Sequence, residues 1–321
     1  MIVPLLLSVL SVASAAQAPC IELNDGNKIP IVALGTGRGT AHSNESVEEV
    51  RNAVLWAIEA GYRHVDTAAV YNDEKQVGQG IADAIAKGVV KREDLFVTTK
   101  LWCDKHAEAQ VVPALRESLS ELGLDYVDLY LIHFPVALKS DGSADDIDYL
   151  ETWKGMEEAR RLGLARSIGV SNFNSSQIDR IIANSHVKPV VNEIEVNPTN
   201  TQLKLVEHCQ KLGVAVMAYS PFGFLVSRRR DDAPPPHYDD PTLGAIAAKY
   251  GKTAGQIVLR YLVDRGLIPI PKSTNKDRIA QNIDLFNFQL TEDEVATISG
   301  FNKDLRVIEI TDWADYPNYP F

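Results

Sequence analysis

Cysteine is scarce: Cys20, Cys103 and Cys209 are the only three in 321 residues. Three thiols form at most one bridge, which excludes a disulfide-held scaffold, and their spacing fits no zinc motif. Positive charge is also short. The chain has 32 Lys and Arg against 43 Asp and Glu, a net charge of −11. That balance excludes a general nucleic-acid binder, which needs a positive field to displace counterions from phosphates. The apolar run at residues 2–12, broken by Pro4 and Ser8, is shorter than the roughly 20 residues a membrane-spanning helix takes. What is present is 45% apolar and 23% charged, the composition of a folded globular chain rather than a disordered or fibrous one. The length allows two ordinary domains or one large single-core fold such as an α/β barrel.

Residues 1–18 contain no charged side chain and end in small residues, Ala13-Ser14-Ala15 and Ala16-Gln17-Ala18. Either A-x-A pattern suits a signal peptidase. The segment is read as a secretory signal peptide, leaving residues 19–321 as the folded domain. Because no Lys or Arg precedes the apolar run, the alternative is a frayed apolar N-terminus on a cytoplasmic protein. Asn44-Glu45-Ser46 and Asn174-Ser175-Ser176 are glycosylation sequons, a pattern that often arises by chance.

Eight short aliphatic runs recur beyond the signal, at residues 31–34, 64–66, 95–100, 129–133, 165–170, 190–195, 215–219 and 268–270. They are continuous rather than alternating, as parallel strands buried on both faces require. Helical faces lie between most of them. Val47, Val50, Val54, Ala57 and Ile58 precede Gly61; Val111, Leu115, Leu119 and Leu122 precede Gly123; Trp153, Met156, Glu157 and Arg160 run to Gly163. Ile178, Ile181 and Ile182 form a further face, as do Leu203, Val206 and Leu212 before Gly213. Glycine at the end of four of these five faces is a C-cap signal. Eight βα units predict a (β/α)8 TIM barrel. A doubly wound sheet is the alternative, but no strand is followed by G-x-G-x-x-G; Gly35-Thr36-Gly37-Arg38-Gly39 comes close and lacks the last spacing. Residues 21–30, with Asp25-Gly26 between short apolar segments, predict a hairpin before the barrel. Residues 222–241, with Arg228-Arg229-Arg230 and Pro234-Pro235-Pro236, predict a long irregular loop, and the aromatic segment 302–321 an ordered tail over something apolar.

Barrel chemistry sits where strands end and βα loops begin. Strand two ends in Asp66, with Tyr71 shortly after; strand three ends in Lys100 and strand four in His133. Singly, each has a bland reading: a cap, a packing phenol, a solvated ammonium, a core histidine. Together they put an acid, a phenol, an ammonium and an imidazole on one rim, a set suited to carbonyl reduction. A phenol near pKa 10 is a poor acid at neutral pH, and an adjacent ammonium is expected to lower it. Asp66 would hold Lys100 charged, Tyr71 would protonate the carbonyl oxygen, and His133 would orient it. No metal is needed. The hydride must come from a cofactor, and Pro271-Lys272-Ser273-Thr274-Asn275-Lys276-Asp277-Arg278 before a helical segment at 279–282 forms an anion trap after strand eight.

These residues resemble the aldo-keto reductase family over nearly all of the chain after the signal. The resemblance is carried by Gly61-Tyr62-Arg63-His64-Val65-Asp66-Thr67-Ala68, Tyr71-Asn72, Leu129-Tyr130-Leu131-Ile132-His133, Gly169-Val170-Ser171-Asn172-Phe173 and Ile270-Pro271-Lys272-Ser273. It implies a (β/α)8 barrel, usually monomeric, that reduces a small-molecule carbonyl with NADPH through a tetrad of Asp66, Tyr71, Lys100 and His133. It further implies cofactor contacts: Ser171 and Asn172 for the nicotinamide carboxamide, Tyr219 for stacking on the ring, and Lys272, Ser273, Thr274 and Arg278 for the 2′-phosphate. Gln281 and Asn282 match adenine contacts, and Thr36, Asp66 and Ser220 complete the cofactor set.

Some positions depart from the family pattern. Glu193 stands where much of the family has a Gln on the carboxamide; a carboxylate accepts from an amide but cannot donate to it, and its charge is expected to favour the cationic oxidised ring. Gly37 and Phe134 stand where many members have Trp, whereas Trp102 is retained. The pocket implied is wide and apolar, lined by Gly37, Trp102, His133, Phe134, Phe222 and Trp313, with Phe224 and Tyr316 nearby. Within the family the chain is most similar to insect, particularly lepidopteran, 3-dehydroecdysone reductase-like members, in stretches such as Ser220-Pro221-Phe222-Gly223-Phe224 and Tyr316-Pro317-Asn318-Tyr319-Pro320-Phe321. That implies reduction of a steroid 3-ketone. A broad aldehyde reductase and a secreted, non-catalytic ligand carrier are the alternatives.

Overall fold

The computed structural model describes residues 18–37, 47–226 and 233–321. The signal peptide expected at 1–18 (Ala18 apart), the Asn44 sequon and the Arg228-Arg229-Arg230 run lie outside the described residues.

The expected hairpin is present. Strands β1 (Cys20–Glu22) and β2 (Lys28–Pro30) pair antiparallel, and Gly26 turns the chain at φ +86°, a conformation glycine adopts without steric penalty. Leu23 and Ile29 are buried against Ala33, Phe96, Leu129, Val191, Met217 and Ile268. Asn24 Nδ2 donates to the carbonyls of Pro189 (2.9 Å) and Gly213 (3.0 Å), and Ser167 Oγ donates to Asp25 Oδ2 (2.8 Å). The hairpin thereby plugs the end of the barrel where the strands begin.

Eight parallel strands follow: β3 (Leu34–Gly35), β4 (His64–Asp66), β5 (Phe96–Leu101), β6 (Val127–Ile132), β7 (Ala165–Ser171), β8 (Val191–Glu195), β9 (Ala215–Tyr219) and β10 (Ile268–Pro269). They pair in sequence order. Backbone bonds from Ala33 N to Pro269 O (3.1 Å) and from Gly35 N to Pro271 O (3.0 Å) join the first strand to the last and close the barrel. Every residue of β4, β5, β6 and β8 is buried, which explains why these strands are continuous runs. The register sets Asp66 beside Thr98, Lys100 beside Leu131, Ser171 beside Glu193 and Glu195 beside Tyr219, so the polar strand ends converge on one rim.

The surrounding helices are α1 (Val47–Glu59), α2 (Glu74–Ala86), α3 (Glu108–Leu122), α4 (Tyr149–Arg161), α5 (Ser175–Asn184), α6 (Leu203–Lys211), α7 (Pro241–Tyr250), α8 (Ala254–Asp264), α9 (Lys276–Ile283) and α10 (Glu292–Ser299). The expected faces of α1, α3, α4 and α5 are buried through residues such as Val54, Leu115, Trp153 and Ile178, whereas Glu157 and Arg160 of the α4 face are only half-buried. On α6, Leu203 is instead exposed, and Val206 and Cys209 make the contact. Periodicity does not reveal α2, because part of its contact face is glycine. A β-carbon on Gly78 would lie 2.1 Å from Leu122 O, and one on Gly80 would lie 2.7 Å from Arg51 O. The C-terminal tail covers an apolar patch as expected: Ile310, Trp313 and Tyr316 pack on Cys103, Phe134, Val136 and Leu138.

Candidate active site

The rim is built from strand ends. Asp66 closes β4, Lys100 lies near the end of β5, and His133 follows β6 directly. Tyr71 ends a 3-10 turn, Ala69–Tyr71, which Asn72 terminates at φ 54° with its N–H on Ala69 O (3.2 Å). The buried Asp73 accepts from Thr67 Oγ1 (2.9 Å) and Thr36 Oγ1 (3.4 Å), and Glu74 accepts from Thr99 Oγ1 (2.6 Å). The turn that carries Tyr71 is thus tied to the barrel on both sides.

Lys100 is 0% exposed. Its Nζ donates to Asp66 Oδ1 (2.6 Å) and Thr67 O (3.1 Å) and lies 3.3 Å from Glu193 Oε1, so an ammonium with three N–H groups has three partners. Burial lowers its pKa, but Asp66 and Glu193 outweigh that and hold the ammonium above its ordinary pKa. Glu193 is therefore engaged inside the barrel, a contact its expected place on the carboxamide did not suggest.

Lys100 Nζ lies 5.3 Å from the centroid of the Tyr71 ring. Lys100 does lower the Tyr71 phenol, as expected, but it does not decide the balance. Burial raises it by more than the ammonium lowers it, and Asp66 and Glu193 add to the rise. The free site thus holds Tyr71 protonated. His133 packs edge-on to Tyr71 (5.7 Å between centroids) and to Trp102 (5.2 Å). Burial, reinforced by Lys100, pushes His133 well below its usual pKa, so the ring is neutral and keeps one N–H to donate.

Ser171, Asn172 and Tyr219 form one hydrogen-bonded row beside His133. Ser171 Oγ donates to Glu193 O (2.9 Å), Asn172 Nδ2 donates to His133 O (2.9 Å), and Tyr219 OH donates to Asn172 Oδ1 (2.7 Å). Asn172 and Ser220 both adopt positive φ, 62° and 46°, strain of the sort that collects at functional sites. On the far side, Lys272, Ser273 and Thr274 lead from β10 into α9. Asn275 caps that helix by accepting from Arg278 N (2.9 Å), and Arg278 Nε donates to Ser273 Oγ (3.4 Å). Gln281 and the buried Asn282 lie one turn on. The expected anion trap is thus gathered at one helix N-terminus.

Trp102, Phe134 and Trp313 form an aromatic wall next to His133, with ring centroids 5.5–6.3 Å apart. A β-carbon on Gly37 would lie 3.1–3.4 Å from the Tyr71 ring, so the glycine keeps that side of the phenol uncrowded. Phe222 stands apart from the wall; it packs on the outer apolar layer, its Cε1 facing Gly255 of α8.

Sequence reasoning missed Glu195. Its carboxylate is buried and accepts from Val307 N (2.7 Å), Ile308 N (2.8 Å) and Asn197 Nδ2 (3.1 Å), fastening the tail that carries Trp313 to the end of β8. The signal was available: Asn192-Glu193-Ile194-Glu195 puts two acids on one face of a buried strand.

The model of the aldo/keto reductase family matches residues 32–303. The chain is 74% identical over 306 residues to aldo-keto reductase AKR2E4 of Bombyx mori, covering 95% of this chain and 99% of that protein. It is 42% identical over 319 residues to human aldo-keto reductase family 1 member C1, covering 94% and 97%. The crystal structure of Bombyx mori AKR2E4 in complex with NADP matches with a TM-score of 0.94 at 74% identity, over 96% of this chain and 100% of that one. That of AKR2E5 complexed with NADPH matches at 0.93 and 45% identity, over 95% and 94%.

Glu195→Ala removes the acceptor of two tail N–H groups. Amide hydrogen exchange at Val307 and Ile308 is expected to speed up by roughly tenfold or more, the equivalent of at least about 1.4 kcal/mol of lost hydrogen bonding, while exchange in β4–β6 stays as it was. Mass-spectrometric exchange of both proteins checks this; unchanged protection of the tail would show that Glu195 does not hold it.

Proposed function

The chain belongs to the aldo-keto reductase family, and from that premise we propose that it reduces a bulky ketone, a steroid 3-ketone of the 3-dehydroecdysone type, to the alcohol. As a family member it is an NADP-dependent oxidoreductase acting on carbonyl groups. The observation that carries the substrate reading is the aromatic wall of Trp102, Phe134 and Trp313 beside His133, with Gly37 leaving the Tyr71 ring uncrowded. A wide apolar wall suits a fused-ring ketone better than a small sugar.

The residues present fit the cofactor. Lys272, Ser273, Thr274 and Arg278 at the α9 N-terminus suit a 2′-phosphate, with Gln281 and Asn282 next to them for the adenine. The Ser171–Asn172–Tyr219 row offers polar atoms for a carboxamide and a ring face for the nicotinamide, and Thr36 and Ser220 complete the proposed cofactor set. NADPH, when bound, supplies the hydride.

The chain's own residues handle the proton. Tyr71, held protonated, donates from its hydroxyl to the carbonyl oxygen as that oxygen gains negative charge. Lys100 stabilises the phenolate left behind, and Asp66 fixes Lys100 in place and charged. His133, neutral, donates an N–H to the same carbonyl oxygen and sets its direction. The reading has the protein act as a monomer, as is usual in the family, and places it outside the cell or in the secretory pathway on the strength of the charge-free apolar segment at residues 1–18.

Tyr71→Phe is expected to lower kcat by about 10²–10⁴-fold, the usual contribution of a general acid, with NADPH affinity unchanged by fluorescence titration; a variant that keeps its turnover would remove Tyr71 from this role. For the substrate, kcat/KM for a 3-keto ecdysteroid is expected to exceed that for a simple aldehyde. The reverse order would support the broad aldehyde reductase, and no turnover of any carbonyl would support the carrier. N-terminal sequencing of the native protein is expected to begin near Pro19; an intact Met1 would refute secretion.

A further inference from the structure

We propose that Asp66 and Glu193 share one proton over the Lys100 ammonium, and that this proton sets the charge Tyr71 faces during catalysis. Asp66 and Glu193 are each 2% exposed, and Lys100 is 0% exposed. One oxygen of each acid faces the ammonium, at 2.6 Å for Asp66 Oδ1 and 3.3 Å for Glu193 Oε1. The other two oxygens, Asp66 Oδ2 and Glu193 Oε2, are fully buried and accept no hydrogen bond from any N–H or O–H donor. A dry carboxylate oxygen without a donor is costly. Both atoms belong to acids whose other oxygens converge on the same Lys100 Nζ, which sets the two carboxyl groups side by side. A single proton resolves both: a carboxylic O–H on one acid donates to the bare oxygen of the other.

Charge balance points the same way. Two ionised acids on one ammonium leave a net −1 in a site buried from bulk solvent, whereas one shared proton brings it to zero. The other titratable groups facing the pair do not supply the missing positive charge. His64 on β4 and His133 after β6 are both held neutral by burial, and Tyr71 and Tyr219 are uncharged phenols. The proton resides mainly on Glu193, because Asp66 is the closer partner of Lys100. Burial and the charge of Asp66 both push the Glu193 carboxyl well above its ordinary range.

This gives the glutamate a function that a glutamine would carry only in part. While the pair keeps its proton, Lys100 is balanced by one negative charge and can still stabilise a developing Tyr71 phenolate. Loss of the proton adds a second negative charge beside Tyr71 and opposes that phenolate. Glu193 is thus a positioning residue acting through Lys100. This kinetic consequence rests on Tyr71 as the acid; the proton itself does not.

Infrared spectroscopy of the cofactor-free wild type, labelled with ¹³C-carboxyl glutamate, tests the proton without turnover. At neutral pH a carboxylic-acid C=O band is expected that shifts with the label and vanishes in Glu193→Gln, whose amide can donate to Asp66 in the acid's place. In carbonyl reduction, wild-type kcat is expected to fall about tenfold per pH unit above the pair's ionisation, a limb that in Glu193→Gln moves up to the pH at which Tyr71 itself ionises. Absence of any labelled acid band overturns the proposal, as does the same alkaline limb in both proteins. If no carbonyl is reduced at all, the proposed activity fails, while the band still decides the proton; if Glu193→Gln misfolds, a band that persists in Glu74→Gln and in Glu195→Gln, the other buried glutamates held above their ordinary range, still assigns it to Glu193, and its loss in either overturns the proposal.

Discussion

Lys100 carries a full positive charge at a point in the barrel that water does not reach. A buried ammonium persists only where opposite charge and hydrogen-bond acceptors replace its hydration, and those partners come from distant parts of the chain. Asp66 and the carbonyl of Thr67 lie 34 and 33 residues away, and Glu193 arrives from β8, three strands around the barrel. The ammonium can be satisfied only if the sheet is closed and in register. In return it imposes a field on its surroundings, helping to keep His133 neutral and facing the Tyr71 ring. Fold and chemistry therefore constrain each other at this one atom.

Closure is achieved with little strand. β3 and β10 are two residues each, and two backbone hydrogen bonds join them. Gly35 makes the seam possible, since a β-carbon there would lie 2.9 Å from Ile270 Cγ2. The N-terminal hairpin seals the opposite end with Leu23 and Ile29, so the rim is the end left for polar groups. That leaves the open rim for the lysine and acids of the site, while the titratable groups buried nearer the strand starts are paired locally: His64 with Pro30 O and Thr98 Oγ1, and Asp128 with Arg92 and the Val97 N–H.

Much of this was legible in the sequence. Strands buried on both faces appear as unbroken aliphatic runs, and the rim residues Asp66, Lys100 and His133 stand at their ends, so strand positions and candidate chemistry could be read together. The anion trap was legible because Lys272 to Arg278 is local. What escaped depends on tertiary approach. Helix α2 packs through Gly78 and Gly80, which leave no apolar signal. The contact of Glu193 with Lys100 joins residues 93 positions apart, and no periodicity encodes which strand faces which across a barrel. The fate of Tyr71 escaped for a different reason. A neighbouring ammonium is visible in a motif, but the desolvation that outweighs it is a property of the closed fold.

Strand β8 links two tasks that barrels usually separate. Chemistry belongs to strand ends, while shape belongs to loops and tails, which tolerate change. Here two acids on one face of β8 serve both: Glu193 turns inward to Lys100, and Glu195, two residues on, accepts the backbone of Val307 and Ile308. The tail so fastened carries Trp313 to Trp102 and Phe134, next to His133. A shift of β8 by one residue would turn both acids out of the barrel, emptying one side of Lys100 and freeing the tail together. The register of this strand thus ties the electrostatics of proton transfer to the shape of the pocket. Within that constraint, substitutions that retune the substrate are best tolerated on the wall; they are least tolerated on β8 and at Gly37, where a β-carbon would press on the Tyr71 ring.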